Sequence, residues 1–190
     1  SHYEKLPEYP LFYNFPYALR FEIGPEQLSI GPLYFKEAQR VALKILKGCF
    51  SEDEPIDVCI EVYQSKKHYQ PLYWMRRFFR ETIPFSQIET THEVGPEGVH
   101  VVRFIIDTQL NQLKVSSLLQ TIIRKDFPRR VDFDVLITRQ RDGLTYYLYD
   151  DRGLDLVAPQ REILRPYYEQ FQSHLLAYDQ LEMEERMKDE

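Results

Sequence analysis

Apolar and polar residues alternate along this chain in two distinct rhythms. A period of two marks strands, because successive side chains on a strand point to opposite faces. It appears at residues 18–23, where Leu19, Phe21 and Ile23 interleave with Ala18, Arg20 and Glu22. It is cleanest at residues 56–63, where Ile56, Val58, Ile60 and Val62 alternate with Asp57, Cys59, Glu61 and Tyr63. Runs at 86–92 and 99–106 flank Gly95-Pro96-Glu97-Gly98, and runs at 131–138 and 144–149 flank Gln140-Arg141-Asp142-Gly143. Both pairs predict hairpins, the second with an Asp-Gly turn. Residues 154–158 add a short strand.

A period near 3.6 marks amphipathic helices. After Gly31-Pro32 the positions Ala38, Val41, Ala42, Ile45, Leu46 and Cys49 recur three and four apart, which predicts a helix ending near Gly48. A short helix is expected at 72–80, with Pro71 near its start. Another is expected from about Gln112, with Leu118, Leu119, Ile122 and Ile123 on its buried stripe. From Pro166 onward Tyr167, Tyr168, Phe171, Leu175, Tyr178 and Leu181 predict one long C-terminal helix. Pro7, Pro10 and Pro16 predict an extended arm over 1–17, and the acidic stretch 180–190 predicts a frayed helix end. The whole predicts α+β: one globular domain over 1–190, with a mixed, largely antiparallel sheet and about four helices.

Composition narrows the function classes. The 190 residues are 43% hydrophobic and 28% charged, ordinary for a folded soluble chain, but aromatics reach 14% with Tyr 14 and Phe 12. The formal net charge of -6 disfavours nonspecific nucleic-acid binding. Two cysteines, Cys49 and Cys59, form no disulfide framework, so a reducing cytoplasm is the expected setting. Neither an apolar run long enough to span a membrane nor a signal peptide is visible.

Catalytic signatures are weak. The sequence holds no GxSxG, no phosphate-binding glycine loop and no HExxH, and its five histidines are scattered. His92 and His100, near the ends of the two strands of the first hairpin, are placed where they could come close, but two surface histidines on a hairpin are ordinary, so no metal and no cofactor is expected. Asp150, Asp151 and Asp155 lack the spacing of a calcium loop and read as an Asp-rich turn. Asp57 and Glu61 share a strand face and offer, as an alternative, a carboxylate pair for a metal-dependent hydrolase or nuclease-like enzyme. Lys66 to Arg80 mixes Lys66, Lys67, Arg76, Arg77 and Arg80 with Tyr69, Tyr73 and Trp74, the makings of a single-stranded nucleic-acid surface or of snorkelling helix cations.

The polar sides of the strands are more informative. Asp57 and Glu61 on one strand, Asp132 and Asp134 on another, and Arg20 and Glu22 on a third all oppose apolar faces. In one sheet they would form an acidic patch able to steer and bind a basic protein partner. A tyrosine-rich corner around Tyr147, Asp150, Asp151 and Arg152 is the second candidate surface.

The run Tyr146 to Ala158, YYLYDDRGLDLVA, followed by Leu164-Arg165-Pro166-Tyr167-Tyr168 and Leu175-Leu176-Ala177-Tyr178-Asp179, resembles the signature of the bacterial domain of unknown function 3885 family. Leu19 to Gly24 and Tyr34 to Ala38 are similar to it as well. The resemblance implies no established activity and transfers no catalytic residues. The bacterial setting, with the size and acidity of immunity proteins, favours a non-catalytic cytoplasmic binding module that occludes a toxin's active surface, by analogy with those proteins.

Overall fold

A computed structural model describes residues 9–64, 76–95, 98–127 and 132–188. Seven strands form one open sheet: β1 Tyr17–Glu22, β2 Pro55–Gln64, β3 Ile88–Val94, β4 His100–Gln109, β5 Phe133–Arg139, β6 Thr145–Leu148 and β7 Gly153–Ala158. Their order is β1-β7-β6-β5-β2-β4-β3, and every pairing is antiparallel, so the expected mixed sheet has no parallel pair among the described residues. The helices are a short turn α1 Leu11–Asn14, then α2 Pro32–Cys49, α3 Val115–Ile123, α4 Arg161–Gln170 and α5 Gln180–Met187. With four helices of eight residues or more on this sheet among the described residues, the fold is α+β.

Alternation sorts the strands onto two faces. Leu19 and Phe21 lie opposite Leu156 and Leu154, Tyr146 opposite Ile137, and Val58 opposite Ile137 and Ile106. All are buried under helices. Tyr146 donates its hydroxyl to the Ala42 carbonyl of α2 at 3.0 Å, and α3 packs on α2. Phe171, just past α4, sets its ring edge-on to Phe21 at 6.2 Å. Burying each such Leu or Phe contributes about 1.5–3 kcal/mol. The opposite face carries the row Arg20, Asp155, Tyr147, Leu136, Cys59 and Ile105, one residue per strand from β1 to β4.

Both hairpins form as expected, and Gly143 takes φ +76° in the β5–β6 turn, a conformation that glycine adopts without a Cβ clash. Three expectations need correction. The described part of the N-terminal arm is not simply extended: Leu11–Asn14 turns into α1, because Leu11 and Phe12 bury completely on the polar face of the sheet. The long C-terminal helix is broken. α4 starts before Pro166, which sits inside it, and ends at Gln170, and two 3-10 turns lead to α5.

The break has a tertiary cause. Phe171 turns inward to Phe21, Leu175 bridges Phe21 on the outer side of β1, and the Leu176 amide donates to the Arg20 carbonyl at 2.9 Å. Nor does the acidic end fray over Gln180–Met187: Met183 and Met187 are buried, and Arg186 donates to the Phe12 carbonyl at 2.7 Å. Of the helix expected at 72–80, residues 76–78 are helical, Phe79 makes a strand-like bridge to Leu113, and 72–75 lie outside the described residues. No described helix is long and apolar enough to cross a membrane.

Candidate functional site

The polar face is built from charges that the strand register places side by side. Arg20 on β1 lies opposite Asp155 on β7, which is fully buried, and donates to both carboxylate oxygens at 2.8 and 3.0 Å. The Phe12 amide of α1 donates to the same carboxylate at 3.3 Å, and the guanidinium sits over the Phe12, Tyr13 and Tyr149 rings at 5.0–5.5 Å. Glu61 on β2 lies between Arg103 on β4 and Asp134 on β5. It accepts from Arg103 Nε at 3.1 Å and from the Tyr9 hydroxyl at 2.5 Å. Asp134 accepts from the Tyr63 and Tyr147 hydroxyls at 3.0 and 2.8 Å and from Lys125 Nζ, just beyond α3, at 3.1 Å.

Above this network opens a cleft of about 1290 Å³. Tyr9, Tyr63, Tyr147 and Tyr149, with Phe133, supply its aromatic surface. Six carboxylates line it (Glu22, Asp126, Asp132, Asp134, Asp150 and Asp155) against three cations, Arg20, Lys125 and Arg152. Asp126 and Asp132 are exposed, while Asp155 lies at the buried floor. The corner is set by Gly153, where a Cβ would stand 2.1 Å from the Tyr149 hydroxyl and 2.6 Å from the Phe21 carbonyl. Only a residue without a side chain lets β1 and Tyr149 approach so closely. Buried Asp150 accepts the Arg152 amide at 2.8 Å and pairs with its guanidinium, and buried Asp151 accepts the Tyr34 hydroxyl at 2.8 Å.

Of the residues singled out from the sequence, Asp132, Asp134, Tyr147, Asp150 and Arg152 line this one cleft. Asp151 sits behind it. Glu61 is 1% exposed beneath Tyr9, so the expected exposed acidic sheet face is at this point a buried, paired network. Asp57 lies apart, bonded by Gln140 Nε2 at 2.9 Å. Four residues along one strand separate Asp57 from Glu61 by about 13 Å, so the two do not converge on one ion as the hydrolase alternative requires. Lys66 to Tyr69, Tyr73 and Trp74 lie outside the described residues; Arg76, Arg77 and Arg80 are exposed. Sequence reasoning missed Tyr9, Tyr63, Lys125 and Tyr149 as cleft residues. Tyr149 stands two positions from Tyr147 on the same strand-side rhythm, the one signal that pointed to it.

Burial pushes the Glu61 carboxyl up, against the pull of the Tyr9 hydroxyl and the Arg103 guanidinium. Burial likewise raises Asp155, opposed by Arg20. The Tyr9, Tyr63 and Tyr147 phenols are raised by burial and by neighbouring carboxylates, so they remain protonated hydrogen-bond donors. Both cysteines are buried, and burial pushes the Cys49 thiol up to about 12 and raises Cys59 as well, which disfavours the nucleophilic thiolate. No serine, cysteine or histidine lines the cleft among the described residues. Beside it, Asp126, Asp150 and Asp151 bring oxygen atoms within 4.8 Å of one another, with neither Asp57 nor Glu61 in the group. The arrangement is thus suited to binding a positively charged group: preformed, acidic in balance and walled by aromatic rings.

No solved structure matches the chain. It is similar to a protein of Bacillus subtilis strain 168 named as the uncharacterized protein YnaE, 21% identical over 151 residues that cover 70% of this chain and 71% of that protein. The model of a family described as domain of unknown function (DUF3885) matches residues 1–179, through β1, the polar cleft and both C-terminal 3-10 turns, and stops just before α5. By that match over nearly its whole length, the chain belongs to the DUF3885 family.

Proposed function

We propose that this protein is a non-catalytic binding module whose tyrosine-walled cleft receives a cationic side chain of a protein partner. The observation that carries the reading is the charge balance of the cleft, six carboxylates against three cations. Asp134 and Asp155 are already braced by hydrogen bonds from their own chain, so they hold a fixed negative field rather than act as mobile bases. A field fixed before binding costs no reorganisation when an arginine or lysine enters. In its finer form, the partner is a basic toxin domain in the cytoplasm, and the module acts as an immunity protein by occluding that domain's active surface. The acidic balance and the aromatic walls support this choice of partner.

The test is a pull-down from the bacterium that encodes the protein, comparing the wild type with Asp126→Lys/Asp132→Lys. Both positions are exposed, so neither lysine has to be buried, and circular dichroism of the variant checks that it is folded. A basic protein held by the wild type and bound at least tenfold more weakly by the variant is the expected result. Equal capture of the same proteins by both would remove the cleft as the docking surface.

A further inference from the structure

At the other edge of the sheet, the β3–β4 hairpin brings two imidazoles together. His92 lies opposite Val102 and His100 opposite Val94, so the two histidines are diagonal neighbours on one face. Their rings stack at 5.1 Å with 21° between planes, and His92 Nε2 stands 3.0 Å from His100 Nδ1. Two imidazole nitrogens this close need something positive between them. In the metal-free protein that is a proton, carried by one ring and accepted by the other.

We propose that this pair is a binding site for a borderline divalent transition metal ion, of the class Cu²⁺, Ni²⁺ and Zn²⁺. Imidazole nitrogens bind such ions at about 2.0–2.1 Å, so two neighbouring ligands at angles of about 90–109° lie about 2.9–3.4 Å apart. The observed 3.0 Å falls within that interval, and the ion replaces the shared proton once each ring turns by about 40° so that both nitrogen lone pairs meet at it. The backbone is set in advance, because β4 pairs with β2 along its whole length and holds β3 in register. His92 is exposed and His100 partly so, which leaves the remaining coordination positions to water. The site stands apart from the polar cleft and does not rest on the function proposed for it. Cu²⁺ is the tightest ligand of the three, since the order of stability peaks at copper.

The experiment titrates the full chain with CuCl₂, followed by calorimetry and by electron paramagnetic resonance, alongside His92→Ala, His100→Ala and the double variant. The wild type is expected to bind one equivalent more than the double variant, with nitrogen hyperfine structure. Each single variant is expected to weaken that equivalent at least tenfold. Copper broadening in an amide correlation spectrum of the wild type should centre on residues 92 and 100, which tests the site without any substitution. Identical stoichiometry and affinity in the wild type and the double variant, or broadening centred elsewhere, overturns the proposal.

Discussion

Arg20 and Phe21 are neighbours in the chain and face opposite sides of the same sheet, and the two sides are stabilised by different physics. Phe21 enters a face where side chains are apolar and helices exclude water; its neighbours can exchange shape, and what matters is filled volume. Arg20 enters a face where Asp155 is as deeply buried as any leucine, so what matters is that each charge finds its partner. The apolar face tolerates loss in proportion to the volume removed. The polar face answers to pairing, because Asp155 without its guanidinium keeps only the Phe12 amide to hold its charge.

Substitutions at these two positions put the comparison at risk. Phe21→Ala is expected to lose about 3–5 kcal/mol, by lost transfer energy and the cavity left beside Phe171. Arg20→Ala is expected to lose a similar amount, about 3–5 kcal/mol at neutral pH, by stranding Asp155. Urea denaturation separates the causes: the Arg20→Ala deficit should shrink in acid, where Asp155 protonates, and the Phe21→Ala deficit should not. Equal pH response in both would erase the distinction between the faces. A smaller effect is expected from Tyr147→Phe, which removes one of three donors to Asp134 and should cost about 1 kcal/mol in the same measurement.

The smallest expected effect is a slope rather than a step. The folded protein raises the Glu61 carboxyl above its ordinary value, so it holds that proton more readily than the unfolded chain does. The stability from this group is therefore full below about pH 4 and drains as pH rises through the folded value. Glu61→Gln keeps an oxygen for Tyr9 and Arg103 but cannot titrate. The stability of the wild type minus that of the variant should fall as pH increases from about 4 toward 7. A difference that stays level across that range would show that Tyr9 and Arg103 fully offset the burial of the Glu61 carboxylate.

Much of the fold was legible because it is local. The alternation from Ile56 to Tyr63 marks β2, and Asp142-Gly143 marks the turn that the structure forms there. The C-terminal region was misread for a definite reason. Tyr167, Phe171, Leu175 and Tyr178 keep a helical spacing, yet Phe171 goes to Phe21, Leu175 goes to the side of β1, and Tyr178 is 86% exposed. Periodicity records which residues are apolar, not which distant surface each one covers. The cleft was half legible for the same reason. Asp134 and Tyr147 announce themselves as polar residues on strands. That Tyr63 closes on that carboxylate and Tyr9 covers Glu61 follows from contacts more than fifty residues apart, and Lys125 reaches Asp134 across the nine-residue connection between α3 and β5.

The seating of Leu175 and Leu176 against β1 has a consequence for solubility. A sheet edge that offers bare amides and carbonyls invites another chain to add a strand, the first step toward fibrous aggregates. Here the chain's own C-terminal segment occupies the outer side of β1 through the Phe21–Leu175 bridge and the Leu176 amide. Among the described residues that leaves β3 as the edge without a paired strand, and its exposed Glu89 and Glu93 set like charges against any second copy approaching in register. The same break that interrupts the C-terminal helix thus serves as a guard against self-assembly.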